Sequence, residues 1–340
     1  MKIAIINIYQ NSVYRGAETY VDQLAKRLSK KHEVHLIVGN NKVQERWPLL
    51  WRVYLDPQSI TIAKFTLKNI GKIWKEKYDV VIPTNGGWQP AFIRLITWLY
   101  GGKMIISGQS GMGWDDRNNL WSFPDVFIAL SNKAKKWAKN VNPFVKVEKI
   151  PNGVDTKVFK PTGRKYITDL PKPIVLCVGA LTKTKRIDLT IKAVAGLKKG
   201  SLLIAAGGGD MKEEYSKLAK DLLGDRCNII KVPHNEMPKV YRACDVFSLA
   251  SEPYYSFEIV LTEAMATGLP VVANRDDIRR EIVGDSGVLV NPTNIKAYSL
   301  ALETAMKLKW GKKPIRQAKK FDWDIVAEKY EKIFANLYTN

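Results

Sequence analysis

Two successive stretches of the chain alternate short β-branched runs with amphipathic helical patterns. The first stretch begins with the apolar run at 2–8 and ends near 150, and the second covers roughly 174–292. Buried β-branched runs separated by helices predict βαβ units and a parallel sheet that is covered on both faces. The segment between them, 160–173, is rich in Pro, Lys and Thr and is typical of a linker. The pattern therefore predicts an α/β protein with two doubly wound domains.

The chain length supports the same division. At 340 residues the chain exceeds what a single hydrophobic core usually supports. We predict an N-terminal domain over 1–160 and a C-terminal domain over 161–320. The last helical pattern, at 322–338, is by itself compatible with packing on either domain.

The sequence predicts no transmembrane helix. The longest apolar stretch, 91–106, is interrupted by Arg94 and Lys103. The chain opens with a strand-like run instead of a secretory signal. Its three cysteines are far apart in sequence and lack metal-ligand spacing, which predicts buried free thiols in a cytoplasmic protein.

The net charge of +21 is the one unusual bulk property. Residues 1–160 hold 25 Lys and Arg against 12 Asp and Glu, a net charge of +13. Such an excess indicates an anionic partner for this half, which could be a phosphate-bearing ligand, an anionic membrane or a nucleic acid. A well-solvated surface without a partner is the alternative.

Cations and glycines follow several predicted strands, where doubly wound sheets bind ligands near helix N-termini. Lys183, Lys185 and Arg186 lie between the first strand and the first helix of the second domain. Cations at this point would meet a phosphate instead of capping the helix, although a solvated loop is the alternative. At Gly208 the missing side chain lets backbone N–H groups approach an anion. Gly16 opens a helix without the GxGxxG pattern of dinucleotide binding, so a plain turn is equally compatible there.

Two glutamates lie near the start of a short predicted helix that ends at Gly268 and Pro270. The Glu263 carboxylate lies one turn inside the helix and could accept two hydroxyl hydrogen bonds from a ribose or another vicinal diol. A surface glutamate that only complements the helix dipole is the alternative. Glu258 is too far around the helix from Glu263 to serve the same point.

Nine segments, in one order, resemble the retaining glycosyltransferases of family 4, which have the GT-B fold. They extend almost from end to end and include "IPNGVDTKVFKP", "VGALTKTKRIDLTIKAV", "MPKVYRACDVFSLAS" and "EAMATGLPVVA". The resemblance implies two Rossmann-like domains that face each other across a cleft. It also implies that the nucleotide sugar binds the C-terminal domain, that the acceptor binds mainly the N-terminal one, and that 321–340 packs back onto the N-terminal domain.

The resemblance implies roles for individual residues as well. Lys185 matches a lysine that binds the donor phosphates, and Glu263 matches a glutamate that binds the nucleotide ribose. Gly16 matches the second glycine of a loop near the phosphates. The base is expected near Val232 and His234, where it would be read largely by backbone groups.

Several positions depart from the family pattern. The arginine expected after the first strand of the second domain is Ala180, and Arg15 replaces the first glycine of the N-terminal pair. The first acid of an expected glutamate pair is Tyr255, while Glu258 stands where the family has glycine. Our hypothesis is that Glu258 replaces the missing acid at the donor sugar. The residues assigned to substrate binding in this segment are Tyr255, Ser256, Phe257, Glu258 and Ile259.

Transfer from a nucleotide sugar requires stabilisation of a diphosphate leaving group, which fixed cations and helix N-termini can provide without a metal. We assign this role to Lys185, helped by Arg186 and Arg15, and expect neither an essential metal nor a cofactor. The resemblance implies retention of the anomeric configuration. Gln109 and Asp115, in a glycine-containing loop after an N-terminal strand, are predicted to position acceptor or donor-sugar hydroxyls. A tight turn without a ligand is equally compatible with this loop.

The helical pattern at 61–78 carries four lysines on one face and apolar residues, including Leu67 and Trp74, on another. Together with the apolar segment at 47–55, it could dock on an anionic bilayer and bring a lipid-linked acceptor to the site. An ordinary solvated surface helix is the alternative. The four lysines are Lys64, Lys68, Lys72 and Lys75.

The sequence leaves other function classes open. The positive charge alone is compatible with a nucleic-acid-binding protein, but no helix-turn-helix, zinc-finger, RNP or KH signature supports that class, and we expect no nucleic-acid partner. A nucleotide-sugar epimerase or a sugar phosphorylase of related fold is the enzymatic alternative. The sequence does not discriminate between UDP, GDP and ADP as the donor nucleotide.

Overall fold

The computed structural model describes residues 1–12, 16–42, 52–253 and 257–338. Arg15, Tyr255 and Ser256, which the sequence placed in the donor site, lie outside these described residues. Most of the apolar segment at 47–55 lies outside them as well.

The chain divides into two compact units, Met1–Asn152 with Trp323–Asn340, and Gly153–Asp322. The first boundary lies before residue 160 because the intervening residues pack on the second unit. Val154 bridges to Asp322, and the Phe159 ring contacts Tyr241 at a centroid distance of 5.8 Å.

The first unit contains six strands and seven helices among its described residues. The strands are β1 (Lys2–Asn7), β2 (Glu33–Val38), β3 (Val80–Pro83), β4 (Lys103–Ser107), β5 (Val126–Ala129) and β6 (Val147–Lys149). The helices are α1 (Gly16–Leu28), α2 (Arg52–Leu55), α3 (Pro57–Glu76), α4 (Trp88–Tyr100), α5 (Trp114–Trp121), α6 (Asn132–Val141) and, after the second unit, α14 (Trp323–Tyr338). Of these, α2 is a single turn.

The strands of the first unit form one parallel sheet in the order β2-β1-β3-β4-β5-β6. Side chains alternate between its two faces, as the two-residue period of a strand requires. Ile3 and Ile5 belong to a core with α1 and α14, whereas Ala4 and Ile6 belong to a core with α3 and α4. The strand order reverses here, because β2 lies on one side of β1 and β3 on the other, so the point between β1 and β3 is the switch point at which a doubly wound sheet binds ligands.

Among its described residues, the second unit contains six strands, seven helices and three short 3₁₀ turns. The strands are β7 (Ile174–Val178), β8 (Ser201–Ala205), β9 (Cys227–Ile230), β10 (Val246–Leu249), β11 (Val271–Asn274) and β12 (Gly287–Val290). The helices are α7 (Ile187–Ala195), α8 (Lys212–Leu223), α9 (Met237–Ala243), α10 (Ile259–Ala266), α11 (Asp277–Val283), α12 (Ile295–Lys307) and α13 (Lys313–Lys319). The 3₁₀ turns are Lys183–Lys185, Gly224–Arg226 and His234–Glu236.

The second sheet is also parallel, in the order β12-β11-β10-β7-β8-β9. This is the strand order of a dinucleotide-binding Rossmann fold, with its switch point between β7 and β10. Val175 and Leu202 pack with α7, α8 and α12 on one face of the sheet. The predicted fold class, an α/β protein with two doubly wound parallel sheets, is confirmed.

The last helix, α14, completes the core of the first unit. Trp323, Val326, Tyr330 and Phe334 are buried in the same cluster as the β1 side chains. The Tyr330 hydroxyl lies 3.0 Å from that of Tyr20 on α1. The first unit therefore contains segments from both ends of the sequence.

In the parts of the chain that the structure describes, no helix combines the length and apolar character needed to cross a membrane. The three cysteines are free thiols. Cys177 and Cys244 are buried as predicted, whereas Cys227 is half-buried. Burial raises the pKa of Cys177 and of Cys227 to about 12.

Candidate functional site

Two loops meet at the switch point of the second unit. One loop follows β7 and leads through the Lys183–Lys185 turn into α7, and the other follows β10 and leads into α10. Because β7 and β10 are parallel neighbours, both loops leave the same edge of the sheet. The Glu252 N–H donates to the Thr184 carbonyl at 3.0 Å, which joins the two loops directly.

The Lys185 ammonium and the Glu258 carboxylate form an ion pair where these loops meet. Lys185 Nζ lies 2.7 Å from Oε2 and 3.0 Å from Oε1 of Glu258. The side chains are 13% and 6% exposed, so water screens their charges only weakly. The two residues are 73 positions apart in sequence, and the adjacency of β7 and β10 brings them together.

Arg279 on α11 is a third charged residue at this point, and the sequence analysis did not identify it. Its Nη2 lies 3.6 Å from Glu258 Oε1 and donates to Ser251 Oγ at 2.8 Å. The guanidinium also donates to the carbonyls of Glu252 and Pro253, both at 3.3 Å. Arg279 is only 1% exposed, so its hydrogen bonds fix the loop after β10 from the buried side of that loop. In the sequence, Arg279 is recognisable only as a basic residue in the first turn of a helix that follows a strand.

The other predicted cations lie in the loop after β7. Lys183 is exposed, and Arg186 is half-buried. Arg186 adopts a left-handed backbone conformation, with φ of 50°, at the junction between the 3₁₀ turn and α7. This conformation is uncommon for a residue with a side chain and typically costs about 1 kcal/mol or more. Their predicted contact with a donor phosphate stays a prediction.

The glycine-rich loop after β8 supports the loop after β7. The Leu181 N–H donates to the Gly208 carbonyl, and the Met211 N–H donates to the Leu181 carbonyl, each at 2.8 Å. A side chain at Gly209, where φ is +151°, would overlap the Leu181 backbone. The position of Gly208 beside open space is compatible with the predicted approach of an anion, which stays a prediction.

Glu263 lies inside α10 and is 4% exposed. Its Oε1 lies 3.2 Å from His234 Nε2, and its Oε2 accepts from the Tyr241 hydroxyl at 2.7 Å. The predicted base-binding residue His234 and the predicted ribose ligand Glu263 are therefore in direct contact. Tyr241 was not identified from sequence, because it reads as an ordinary apolar position of α9.

The His234–Glu263 contact changes the acid–base behaviour of the imidazole. Burial lowers the pKa of His234, but the hydrogen bond with Glu263 and its negative charge outweigh burial, and the net shift of the pKa is upward. Phe159 packs edge-on against the imidazole at a centroid distance of 5.7 Å.

The remaining predicted substrate positions of this unit are partly or fully buried. Phe257 packs against Phe321 at a centroid distance of 5.6 Å, and Ile259 lies in the first turn of α10. Val232 is half-buried in the loop after β9. Because the Phe257 and Ile259 side chains are buried, any substrate contact at these two positions would have to use the backbone.

Gly16, Gln109 and Asp115 belong to the first unit. Gly16 begins α1. The Gln109 side chain exchanges hydrogen bonds with the Asn152 side chain, at 3.0 and 2.8 Å, and donates to Ser107 Oγ at 2.9 Å. Asp115 is half-buried in the first turn of α5. Their predicted roles in binding hydroxyl groups stay predictions.

Asp116, next to the predicted residue Asp115, is the more deeply buried of the two acids. It is 2% exposed, and its Oδ1 accepts from Asn119 Nδ2 at 3.0 Å. Burial raises the pKa of Asp116 to about 8, against the opposing effect of the Asn119 hydrogen bond. From sequence the two aspartates were indistinguishable, because an eight-residue helix with a weak apolar pattern does not reveal which side faces the core.

Within the described ranges, no cluster of three or more His, Cys, Asp or Glu side chains is arranged to hold a metal ion.

Two family models match the chain. The model described as "Glycosyl transferases group 1" matches residues 162–321, and the model described as "Glycosyltransferase Family 4" matches residues 14–158. The two matches are adjacent and between them leave out only both ends of the chain and the three residues 159–161.

Related proteins match over most of their length. The chain is 24% identical over 323 residues to a GDP-mannose-dependent alpha-(1-6)-phosphatidylinositol monomannoside mannosyltransferase of Mycolicibacterium smegmatis, covering 84% of each chain. It is 29% identical over 323 residues to an N-acetylgalactosamine-N,N'-diacetylbacillosaminyl-diphospho-undecaprenol 4-alpha-N-acetylgalactosaminyltransferase of Campylobacter jejuni, covering 86% of this chain and 87% of the relative.

Solved structures share the fold. A sucrose-phosphate synthase from Thermosynechococcus elongatus superposes with a TM-score of 0.81 at 20% identity, covering 100% of this chain and 99% of the other. Anabaena HepE in complex with UDP superposes with a TM-score of 0.77 at 17% identity, covering 99% and 100%. The two parallel sheets, the adjacent family matches and these similarities agree. The chain therefore belongs to the group 1 glycosyltransferases of the GT-B fold.

Proposed function

We propose that the protein transfers a hexose from a UDP- or GDP-sugar to a glycan or lipid-linked acceptor. In this proposal the anomeric configuration is retained, and neither an essential metal nor a cofactor takes part. The observation that carries the proposal is the Lys185 ammonium, which lies at the switch point of the second unit in the turn that leads into α7.

Lys185 supports the donor assignment through its position. A diphosphate leaving group gains negative charge as the bond to the sugar breaks, and a fixed cation beside it lowers the barrier without reorganisation. Oxygens of a diphosphate placed near the start of α7 would also meet the positive end of the helix dipole. The Lys185 ammonium and the start of α7 both belong to the second unit, and both lie at the edge of the sheet at which doubly wound folds bind ligands.

The relatives support the substrate classes. One relative is named for dependence on GDP-mannose, and one structural neighbour was solved with UDP. The names of both relatives describe acceptors attached to lipids, phosphatidylinositol in one and diphospho-undecaprenol in the other. Retention rests on the resemblance to the retaining family 4 enzymes.

A thermal-shift screen of UDP-, GDP- and ADP-sugars tests the donor assignment. We expect one nucleotide class to raise the melting temperature, because a ligand that binds only the native state stabilises it. Lys185→Gln should strongly reduce that shift. Lys192→Gln, a change of the same kind on the exposed side of α7, should preserve it. No shift with any nucleotide sugar would contradict the proposal.

The reaction itself can be followed by nuclear magnetic resonance of the anomeric proton. We expect the product to keep the anomeric configuration of the donor, with release of UDP or GDP, and turnover to persist in excess EDTA. An inverted product would contradict retention, and loss of turnover in EDTA would contradict metal independence. Isomerisation of the donor without nucleotide release would indicate an epimerase.

We further propose that the first unit contacts an anionic membrane through α3 and α4. Lys64, Lys68, Lys72 and Lys75 all lie exposed on α3, alongside the exposed side chains of Leu67 and Trp74. Cations near an anionic bilayer contribute about 1 kcal/mol each. α3 packs against α4, and Trp74 contacts Tyr100 at a centroid distance of 6.4 Å, so the two helices present neighbouring surfaces.

The outer surface of α4 is apolar. Leu95, Trp98 and Leu99 are 57%, 66% and 64% exposed. The charged residue of the helix, Arg94, is paired with Asp125 at 2.6 Å and lies against the Trp98 ring at 4.9 Å. An exposed apolar helix face beside a basic one fits the interfacial region of an anionic bilayer.

Liposome flotation tests the membrane proposal. We expect recovery with vesicles that contain phosphatidylglycerol and much less recovery with pure phosphatidylcholine. Replacement of Leu95, Trp98 and Leu99 by serine should reduce recovery on the anionic vesicles, while Leu300→Ser, at an exposed leucine of the second unit, should not. Equal recovery with both vesicle types would contradict the proposal.

A further inference from the structure

Glu258 occupies the N-cap position of α10 but does not cap the helix. Its backbone is extended, with φ of −95° and ψ of 95°, and within this described helix its carboxylate accepts no capping hydrogen bond. Both carboxylate oxygens instead contact the Lys185 ammonium, and Arg279 Nη2 lies 3.6 Å from Oε1. The Glu258 carboxylate is therefore paired with Lys185, the cation that the proposed reaction needs.

The charge balance of this cluster limits what Lys185 can offer to a ligand. An ammonium group has three N–H donors, and the two oxygens of Glu258 accept from two of them. Arg279 is also paired with Asp276, whose Oδ2 lies 3.5 Å from Arg279 Nη1, so the two cations and the two carboxylates carry no net charge. An anion that approached Lys185 would also approach the Glu258 carboxylate, and like charges in a poorly screened site repel strongly.

We propose that Glu258 is a positioning residue that competes with the donor diphosphate for Lys185. In the donor-free protein the carboxylate holds the ammonium, and donor binding transfers the ammonium from the carboxylate to the diphosphate. This inference rests on the proposed use of a nucleotide-sugar donor.

Arg279 makes this exchange feasible. A buried carboxylate that lost its only cation would be strongly destabilised. The Arg279 guanidinium stays beside Glu258 because Ser251 and two backbone carbonyls hold it in place. The carboxylate therefore keeps a positive neighbour when Lys185 turns towards a ligand.

The competition has two consequences for the reaction. A singly charged anion gains too little from Lys185 to displace the carboxylate, so the site favours the higher charge of a diphosphate. When the nucleoside diphosphate leaves, the ion pair between Glu258 and Lys185 forms again. This competition accelerates product release. Glu258 thus weakens binding of donor and product alike in exchange for faster turnover.

Titration calorimetry with UDP and GDP tests the inference. Glu258→Gln removes the charge and preserves the size of the side chain, and we expect it to bind the preferred nucleotide about tenfold more tightly than the wild type. Glu258→Gly, acceptable at an N-cap position, should act in the same direction and serves if the glutamine variant does not fold. Glu303→Gln, which removes one charge from an exposed pair on α12, should leave the affinity unchanged.

Steady-state kinetics and a double-mutant cycle separate competition from a merely structural role. Glu258→Gln should lower both KM for the donor and kcat, and inhibition by the product nucleotide should become stronger. In a Lys185→Gln background the effect of Glu258→Gln on affinity should largely disappear. If Glu258 had only a structural role, Glu258→Gln would weaken nucleotide binding in both the wild-type and the Lys185→Gln background.

The outcomes distinguish this inference from the donor proposal. If the wild type binds UDP or GDP and a folded Glu258 variant binds it with the same or a weaker affinity, the inference is overturned but the donor proposal is not. Failure of UDP and GDP to bind both the wild type and the variants would overturn the donor proposal and the inference together.

Discussion

At the residue scale, the partly buried contact between His234 and Glu263 makes stability depend on pH. The pKa of His234 is raised in the folded protein, because the bond with Glu263 and its charge outweigh burial. The native state therefore binds the proton more tightly than the unfolded chain. The resulting stabilisation is fully present below the unfolded pKa of about 6.5 and is lost as the pH rises through the folded value.

We expect the stabilising effect of His234 to shrink as the pH rises from below about 6.5 to above the raised pKa of the folded protein. The comparison is the unfolding free energy of the wild type minus that of His234→Gln, measured by urea denaturation at several pH values. Glutamine can still donate to Glu263 but does not titrate. A difference that stayed constant over this range would argue against the His234–Glu263 contact.

The buried carboxyl group of Asp116 also makes the stability of the folded protein depend on pH. Burial raises its pKa from 3.8 to about 8, so the native state holds this proton over a range in which the unfolded chain has lost it. Stability therefore falls as the pH rises between these two values. Asp116→Asn should gain stability relative to the wild type as the pH rises. Urea denaturation at about pH 5 and pH 8 provides the measurement.

Single residues differ in how far their surroundings could be predicted from sequence. The position of Lys185 in a loop after a strand was predictable, because strand and helix patterns locate such loops. Its partner Glu258 was not, because their contact depends on β7 and β10 being neighbours. Arg279 was missed for the same reason, since its partners lie on the loop after the adjacent strand.

At the element scale, the loops after β7 and β8 form one supporting structure. Leu181 exchanges backbone hydrogen bonds with Gly208 and Met211. Gly209 lies against the Leu181 backbone with no space for a side chain. A change at Gly209 would therefore reach Lys185 through the loop that carries it.

We expect Gly209→Ala to lower kcat/KM for the donor by roughly tenfold to hundredfold, because small displacements of a binding group have effects of that size. Gly207→Ala is the matched control, since a methyl group there would meet no atom within 4 Å. Comparable losses in the two variants would show that the contact with Leu181 is not the cause.

Helices were predictable from their periodicity, but their exposure was not always so. The apolar pattern of α4 indicated a helix, and the structure contains it at Trp88–Tyr100. The same pattern is compatible with a helix buried on all sides. Only the structure shows that Leu95, Trp98 and Leu99 face solvent, because what covers a helix depends on its neighbours in space.

At the scale of the whole molecule, the first unit depends on a helix from the far end of the chain. Trp323, Val326, Tyr330 and Phe334 of α14 are buried in its core. Burial of side chains of this size contributes about 1.5–3 kcal/mol each. Their sum is comparable with the total stability of a typical domain, about 5–15 kcal/mol.

A chain that ends at residue 322 should therefore lose the cooperative unfolding transition of the first unit. The second unit, Gly153–Asp322, should keep its own transition, because its core contains no residue of α14. Calorimetry of this chain against one that ends at residue 338 provides the measurement. Two intact transitions in the shorter chain would contradict the assignment of α14 to the first unit.

The division into two parallel sheets followed from the sequence, since the alternation of strands and helices occurs twice. The strand orders did not follow. Both halves show the same alternation, yet β2 is an edge strand of the first sheet, while β8 lies inside the second. A β-branched run reveals that a strand is buried, but not which strand lies beside it.

The return of α14 to the first unit also has a consequence during synthesis. Domains usually fold in the order in which the ribosome delivers them, with the N-terminal domain first. In this chain the sequence of the second unit emerges complete before the last segment of the first unit has been translated. Until then one face of the N-terminal sheet is covered by α1 without α14, and the second unit can be the first to reach its native state.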